Sequence, residues 1–116
     1  MKTHKDLEVW KSAIDLVVVI YDLTKNFPNS EIYGLTNQIR RAAVSVPANI
    51  AEGSGRNTTG ELNHFLGIAT GSLSELETLI LISSKLGYLN NIDFEVLQKK
   101  ITLQFRLLSG LKNSLK

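Results

Sequence analysis

The stretch TTGELNHFLGIATGSLSELETLILISSK, residues 58–85, decides the fold class of this 116-residue chain. Its apolar residues recur at alternating steps of four and three, which places them on one face of a helix and is typical of the seam of a helical bundle. These residues are Leu62, Leu66, Ala69, Leu73, Leu76 and Ile80. Thr58 and Glu61 have the form of a capping box, in which each side chain satisfies a free backbone N–H at the start of the helix. The stretch therefore predicts a long central helix.

Three more segments show helical spacing of their apolar residues. They are residues 6–26, a second helix that begins near Glu31, and a fourth that opens at Asn90 and Asn91. Turn-forming residues separate them: Phe27, Pro28, Gly53, Gly55 and Gly87. Short connections favour antiparallel neighbours, so we predict an all-α, antiparallel up-down-up-down four-helix bundle that occupies residues 1–116 as a single domain. Pro47 removes a backbone donor inside the second helix, and we expect a kink there.

Helices one and three are apolar over more of their circumference than one core requires. In the first helix, Val18 lies among the polar residues Lys11, Asp15 and Asp22. The third helix carries a second apolar stripe, formed by Phe65, Ile68, Leu79, Ile82 and Leu86. This surplus predicts an interface with another molecule.

The composition argues against several classes of function. The chain contains no cysteine, which excludes a disulfide framework, a thiol nucleophile and a thiolate metal site. Its longest uninterrupted apolar stretch, residues 16–21, is far shorter than the ~20 residues needed to cross a bilayer. We therefore expect a cytoplasmic protein with no membrane partner.

Catalytic and metal-binding motifs are incomplete. Glu61 and His64 form one Glu-x-x-His motif, but a di-iron bundle needs two, and the other histidine of the chain, His4, precedes the first helix. The stretch Gly53-Ser54-Gly55-Arg56 lacks the Gly-Lys-Ser/Thr ending of a phosphate loop and reads as a turn. The sequence thus predicts no enzyme, no cofactor and no metal site.

Basic residues are segregated although the net charge is only +2. No acid follows Glu95, and none lies between Ile32 and Ala51. The candidates for contact with nucleic-acid phosphates are Arg40, Arg41, Arg56, Lys99, Lys100, Arg106 and Lys112. The alternative is that these residues form an ordinary solvated face, with positive charge favoured near a helix C-terminus.

Polar residues also interrupt the apolar surfaces of helices two and three. On helix two they recur at steps of three and four: Gln38, Arg41, Ser45, Asn49 and Glu52. Helix three adds Glu75 and Glu77. Either these side chains are solvent-exposed, or Arg40 or Arg41 meets one of the two glutamates across helices or subunits and fixes their register.

Several strings resemble a known family. They are DLEVWKSA at residues 6–13, FP at 27–28, EIYGLT at 31–36, QIRRAAVSVPANIAEG at 38–53, GSLSELE at 71–77 and LGY at 86–88. Together they resemble the bacterial four-helix bundle family named after proteins encoded in intervening sequences of large-subunit ribosomal RNA genes. The resemblance implies a small cytosolic bundle that assembles into a homopentameric ring.

The same family is similar to accessory proteins of diversity-generating retroelements, which are pentameric, strongly basic, and bind nucleic acid and a reverse transcriptase. This chain departs from that subgroup in being only mildly basic. Our leading hypothesis is a non-enzymatic oligomer whose basic residues bind the phosphates of structured RNA or another nucleic acid. The alternative is a scaffold that binds a partner protein and makes no contact with nucleic acid.

Overall fold

A computed structural model describes residues 3–115, and these residues form four α-helices and no β-strand. The helices are α1 (Glu8–Thr24), α2 (Leu35–Ser54), α3 (Thr59–Lys85) and α4 (Asn91–Ser114). Two short 3-10 turns, His4–Asp6 and Asn29–Glu31, precede α1 and α2. The all-α four-helix bundle expected from the sequence is confirmed.

The helix starts follow local capping chemistry. The Thr58 hydroxyl accepts a hydrogen bond from the Glu61 backbone N–H at 3.1 Å, as expected, but it also donates to the Glu61 carboxylate at 3.2 Å. The carboxylate therefore binds the cap side chain and not the cap backbone. At the start of α4, Asn90 Oδ1 accepts from the Asp93 N–H at 2.7 Å.

The second helix begins later than the sequence suggested. Glu31 lies in a 3-10 turn, and its carboxylate oxygen Oε1 accepts a hydrogen bond from the backbone N–H of Leu35, the first residue of α2, at 3.3 Å. Gly87 follows α3 with a φ of 82°, a left-handed conformation that glycine adopts without steric cost and that commonly ends a helix.

The buried apolar residues of all four helices form one cluster. The seam predicted for α3 lies in it, with Leu66, Ala69, Leu73 and Leu76 fully buried. Pro47 lies inside α2 and is also buried. The kink at Pro47 and the antiparallel order of the helices stay predictions.

Helices α1 and α3 occupy opposite corners of the bundle. Each packs against both α2 and α4, whereas no Cα atom of α1 lies within 8 Å of one of α3 across the described chain. The outward faces of α1 and α3 therefore point in different directions.

The apolar character of α3 also meets the length and hydropathy criteria of a membrane span, although it contains no long uninterrupted apolar run. A core helix of a globular bundle meets the same criteria, and the seam of α3 is buried among the other helices. Length and composition alone are weak evidence for a membrane segment.

Candidate interaction surfaces

Three of the polar residues predicted on α2, namely Gln38, Arg41 and Ser45, line a groove between α2 and α3. The groove has a volume of about 540 Å³, and its polar lining comes from Tyr33, Asn37, Gln38, Arg41, Ser45, Ser72 and Glu75. Ser45 Oγ and Ser72 Oγ share a hydrogen bond of 2.8 Å across the two helices. Asn49 Nδ2 donates to Ser45 O at 2.8 Å and to Ser45 Oγ at 3.0 Å. These contacts order the floor of the groove.

Arg41 and Glu75 are both exposed on the walls of this groove. Neither forms an ion pair within 4.0 Å of an opposite charge in residues 3–115. Glu77 likewise has no such pair in that range, and it is half-buried two residues further along α3, on a different side of the helix. The expected contact between an arginine and these glutamates is absent within the described chain, and a contact between subunits stays a prediction.

Arg40 is bound to α1. Its Nε donates to the buried Thr24 hydroxyl at 2.9 Å, and its guanidinium lies 4.6 Å from the centre of the Tyr21 ring. Thr24 in turn donates to the Ile20 carbonyl at 2.7 Å. Arg40 therefore holds α2 against α1, and its donors are partly used inside the molecule.

Two other candidate cations also have partners within the chain. Arg56 forms an ion pair with Glu52 one turn earlier, and its guanidinium lies 4.8 Å from the centre of the Phe65 ring. Lys100 Nζ donates to Asp15 Oδ2 at 2.7 Å and links α4 to α1. The positive charges of Arg56 and Lys100 are therefore partly neutralised by carboxylates of the same chain.

Lys99 and Arg106 lie together on the exposed face of α4. They line one shallow depression with Gln98, Thr102 and Leu103, of about 360 Å³. Neither has an acidic partner within 4.0 Å in the part of the chain that the structure describes. No acid follows Glu95 in the sequence, so α4 itself places no carboxylate beside these two cations beyond that residue.

Lys112 lies apart from that pair, near the end of α4. It lines a separate depression of about 320 Å³ with Asn113, Leu115 and the first residues of α3. The seven basic candidates therefore occupy several surfaces. Arg40 and Arg41 share one depression with Tyr21 and Val44, whereas Lys99 and Arg106 share another.

Two rows of exposed apolar side chains account for part of the surplus noted in the sequence, although Leu79 of the predicted second stripe of α3 is buried and Phe65 is half-buried. The α1 row consists of Ile14, Val18 and Tyr21, with Val18 63% exposed. The α3 row consists of Ile68, Ile82 and Leu86. The α1 row follows steps of four and three and forms a continuous strip, whereas the exposed Glu75 interrupts the α3 row between Ile68 and Ile82.

The structure also exposes large residues that the periodicity did not single out. Tyr33, in the turn before α2, is 95% exposed at the mouth of the α2–α3 groove, and Ile92, in the first turn of α4, is 77% exposed. Both lie outside the helical stripes, and only their position next to a helix start could have indicated exposure.

Glu61 and His64 both make local contacts near the start of α3. Glu61 is occupied by the Thr58 cap, and the His64 ring stacks edge-on against Phe65 with centroids 5.4 Å apart. No cluster of three or more potential metal-ligating residues occurs within residues 3–115.

The clearest change in acidity belongs to Tyr88, which follows α3. Its hydroxyl donates to Glu31 Oε2 at 3.0 Å, and the ring packs against Phe27 with centroids 5.5 Å apart. The hydrogen bond to Glu31, together with desolvation and the negative charge of Glu31, raises the pKa of the Tyr88 phenol above its ordinary value of 10.0. The pair joins the turn before α2 to the end of α3 and is structural.

Residues 5–110 match a protein family described as 23S rRNA-intervening sequence protein. The fold is similar to that of a protein of unknown function from the S23 ribosomal protein family of Bacteroides thetaiotaomicron VPI-5482, with a TM-score of 0.83. That match is 23% identical and covers 90% of this chain and 97% of the other. No curated protein matches the chain. Neither the family description nor the related structure names an enzymatic activity.

Proposed function

This chain belongs to the 23S rRNA-intervening sequence protein family, and we propose that it acts without catalysis, as a self-associating bundle that binds the phosphates of structured RNA or another nucleic acid. The observation that carries the proposal is the pair Lys99 and Arg106 on the exposed face of α4, free of acidic partners among the described residues. A cytoplasmic location is part of the proposal.

The geometry of the α4 pair suits a phosphate backbone. Arg106 lies seven positions after Lys99, which corresponds to about 10 Å along the helix axis on the same side. Thr102 lies between them and offers a hydroxyl. Such contacts position a protein on nucleic acid without reading its sequence.

The same face offers no platform for base stacking. Phe94 and Phe105 on α4 are half-buried and pack against the core. Single-stranded nucleic acid is commonly held by exposed aromatic side chains, whereas a folded RNA presents its backbone. The α4 face therefore favours structured RNA over an unpaired strand.

Self-association would supply the affinity that two cations cannot. The exposed apolar rows of α1 and α3 support contacts between copies, and the homopentameric ring expected from the family resemblance is one such assembly. Repetition of the α4 pair around an assembly raises the effective local concentration of binding sites. A modest positive charge on each chain is then enough for the assembly to bind RNA.

The test is RNA binding measured at several salt concentrations, with a variant that removes the α4 pair. We expect binding of a structured RNA to weaken steeply as salt rises, because phosphate contacts release counterions. The double variant Lys99→Gln/Arg106→Gln should bind more weakly and lower the slope of log K against log salt by about 2 per subunit engaged.

The control variant is Lys5→Gln/Lys85→Gln, which removes the same charge from exposed positions off α4. It should bind like the unmodified protein. Equal losses in the two variants would show that only overall charge matters, and no RNA binding at any salt concentration would end the nucleic-acid proposal.

The second candidate function is a protein-binding scaffold. It is favoured by the α2–α3 groove, where Arg41 and Glu75 offer opposite charges beside the exposed Tyr33. Aromatic and arginine side chains are the ones most often found at the centre of protein interfaces. An oligomer that does not bind RNA at any salt concentration would support this function.

A further inference from the structure

We infer that the α2–α3 groove binds a short peptide with free ends, whose carboxylate meets Arg41 and whose ammonium group meets Glu75. The site is independent of the nucleic-acid proposal, because it uses neither α4 nor a phosphate ligand. It also differs from the scaffold function, because the ligand is a free peptide and not a segment inside a partner protein.

The groove carries one positive and one negative side chain on opposite walls. Arg41 lies four positions before Ser45 on α2, and Glu75 lies three positions after Ser72 on α3. The Ser45 and Ser72 hydroxyls share a hydrogen bond of 2.8 Å at the floor, and all four residues line the same groove. Each charge therefore stands about one helical turn, roughly 5–6 Å along its helix, from this hydrogen bond. The guanidinium and the carboxylate belong to a single site.

Neither charge is neutralised inside the described part of the chain. Arg41 and Glu75 have no opposite charge within 4.0 Å among residues 3–115, although they line the same groove. Opposite charges that are held apart favour a ligand that carries both signs, because such a ligand forms a charge-assisted hydrogen bond with each of them. A ligand with a single charge would be attracted by one side chain and repelled by the other.

The uncharged lining favours a peptide among the ligands that carry both signs. Asn37 and Gln38 contribute side-chain amides, and Ser45 and Ser72 contribute hydroxyls. Amides and hydroxyls both donate to and accept from a peptide bond, a group that a free amino acid lacks. A chain of two or three residues spans about 7–10 Å, close to the distance of about 8–10 Å between the axes of packed helices. The groove volume of about 540 Å³ lies within the range of small-molecule sites.

The test is a titration of the unmodified protein with tri-alanine, measured by calorimetry and by the backbone amide signals of α2 and α3 in NMR spectra. The matched ligands are N-acetyl-tri-alanine, which lacks the ammonium group, and tri-alanine amide, which lacks the carboxylate. We expect saturable binding of tri-alanine that shifts the signals of Gln38, Ser45 and Ser72. Each blocked peptide should bind at least about tenfold more weakly, because it loses one hydrogen bond between charged groups.

Two variants assign the charges of the groove to the two ends of the peptide. Arg41→Gln should bind tri-alanine about tenfold more weakly and should no longer distinguish it from tri-alanine amide. Glu75→Gln should show the same loss and should no longer distinguish tri-alanine from N-acetyl-tri-alanine. Both residues are exposed, so the fold should survive, and far-ultraviolet circular dichroism verifies helicity.

Arg106→Gln and Glu95→Gln are the matched controls, because they remove the same two charges from exposed positions on α4. Both should bind tri-alanine like the unmodified protein. The Lys99→Gln/Arg106→Gln variant should also bind it normally, so the peptide site and the nucleic-acid proposal can fail separately.

Three results would overturn the inference. If tri-alanine does not bind, the groove is not a site for free peptides. If free and blocked peptides bind equally well, the groove accepts internal segments of a partner protein, which is the scaffold function. If the α4 controls lose as much affinity as the groove variants, or the shifted signals lie outside α2 and α3, the peptide binds elsewhere on the molecule.

Discussion

Gly53 has no room for a side chain, because α3 packs directly against it. A Cβ atom at this position would lie 2.9 Å from Phe65 Cβ and 3.0 Å from Leu62 Cδ1. Alanine favours a helix over glycine by about 1 kcal/mol, but overpacking of a core costs about 1–3 kcal/mol. We expect Gly53→Ala to lower the free energy of unfolding by up to about 2 kcal/mol in urea titrations.

Gly67→Ala is the matched control for that substitution. Gly67 lies inside α3, and a Cβ atom there would meet nothing within 4 Å. Because only the helix propensity changes, this variant should gain about 0.5–1 kcal/mol of stability. A gain of the same size in both variants would contradict the tight contact between α2 and α3.

Tyr88 predicts a dependence of stability on alkaline pH. The contact with Glu31 raises the phenol pKa above 10.0 in the folded protein, so the neutral form is favoured by folding. This stabilisation is complete below pH 10, the ordinary pKa of tyrosine, and is lost as the pH rises through the raised pKa. We expect Tyr88→Phe to be less stable than the unmodified protein at pH 8, with a smaller difference at pH 11.

Urea unfolding of both proteins at the two pH values measures this difference. Tyr33→Phe serves as the control, since Tyr33 is almost fully exposed and its substitution should change stability at neither pH. A Tyr88→Phe difference that stays constant with pH would argue against the role of the hydrogen bond to Glu31.

At the scale of helices, the sequence predicted the elements whose signals are local. The seam of α3, the Thr58 cap and the start of α4 at Asn90 and Asn91 each depend on residues within a turn or two, and they are found as expected. The second half of the capping box is not found, because the Glu61 carboxylate accepts from the Thr58 hydroxyl. The start of α2 was placed near Glu31, and this was wrong because the Glu31 carboxylate caps the helix from outside it.

The contacts of the basic residues with other helices could not be predicted from the sequence. Arg40 contacts Tyr21 and donates a hydrogen bond to Thr24, which lies 16 residues earlier in the chain. Lys100 donates a hydrogen bond to Asp15, which lies 85 residues earlier. Such contacts depend on the rotation of each helix about its axis, which periodicity defines only to within a face. The candidate site could therefore be predicted as a set of residue types and not as a surface.

Gln104 gives a test of how α4 is joined to α1. This side chain is fully buried; Nε2 donates to Val9 O at 2.8 Å, whereas Oε1 has no hydrogen-bond partner among the described residues. Gln104→Leu loses a hydrogen bond worth about 1 kcal/mol but removes a buried unpaired oxygen that costs about 1–3 kcal/mol. We expect equal or higher stability in thermal unfolding.

Gln104→Ala is the comparison for this position. It removes the same polar atoms but leaves a cavity, so the free energy of unfolding should fall by about 2 kcal/mol or more. If Gln104→Leu is as destabilised as Gln104→Ala, then the hydrogen bond to Val9 contributes more than the packing of the side chain, and the energetic reasoning above is wrong.

In the whole molecule, the exposed apolar rows and the exposed basic pair lie on different helices. α1 and α3 carry the apolar rows on opposite corners, and α4 presents Lys99 and Arg106 between them. Contacts between copies through α1 and α3 would leave the α4 face uncovered. Assembly and phosphate binding can therefore occur together, since they use different helices.

The proposed self-association through these rows predicts that stability depends on protein concentration. A partner that binds only the folded state stabilises it by RT ln(1 + [L]/Kd), which is about 2.7 kcal/mol when the partner is at a hundredfold excess over Kd. We expect the melting temperature of the unmodified protein to rise by several degrees over a hundredfold range of concentration. The melting temperature of Val18→Glu should stay constant, because its α1 row is blocked. A constant value for both proteins would mean that the exposed apolar rows contribute nothing to assembly, and that the folded monomer tolerates them in water.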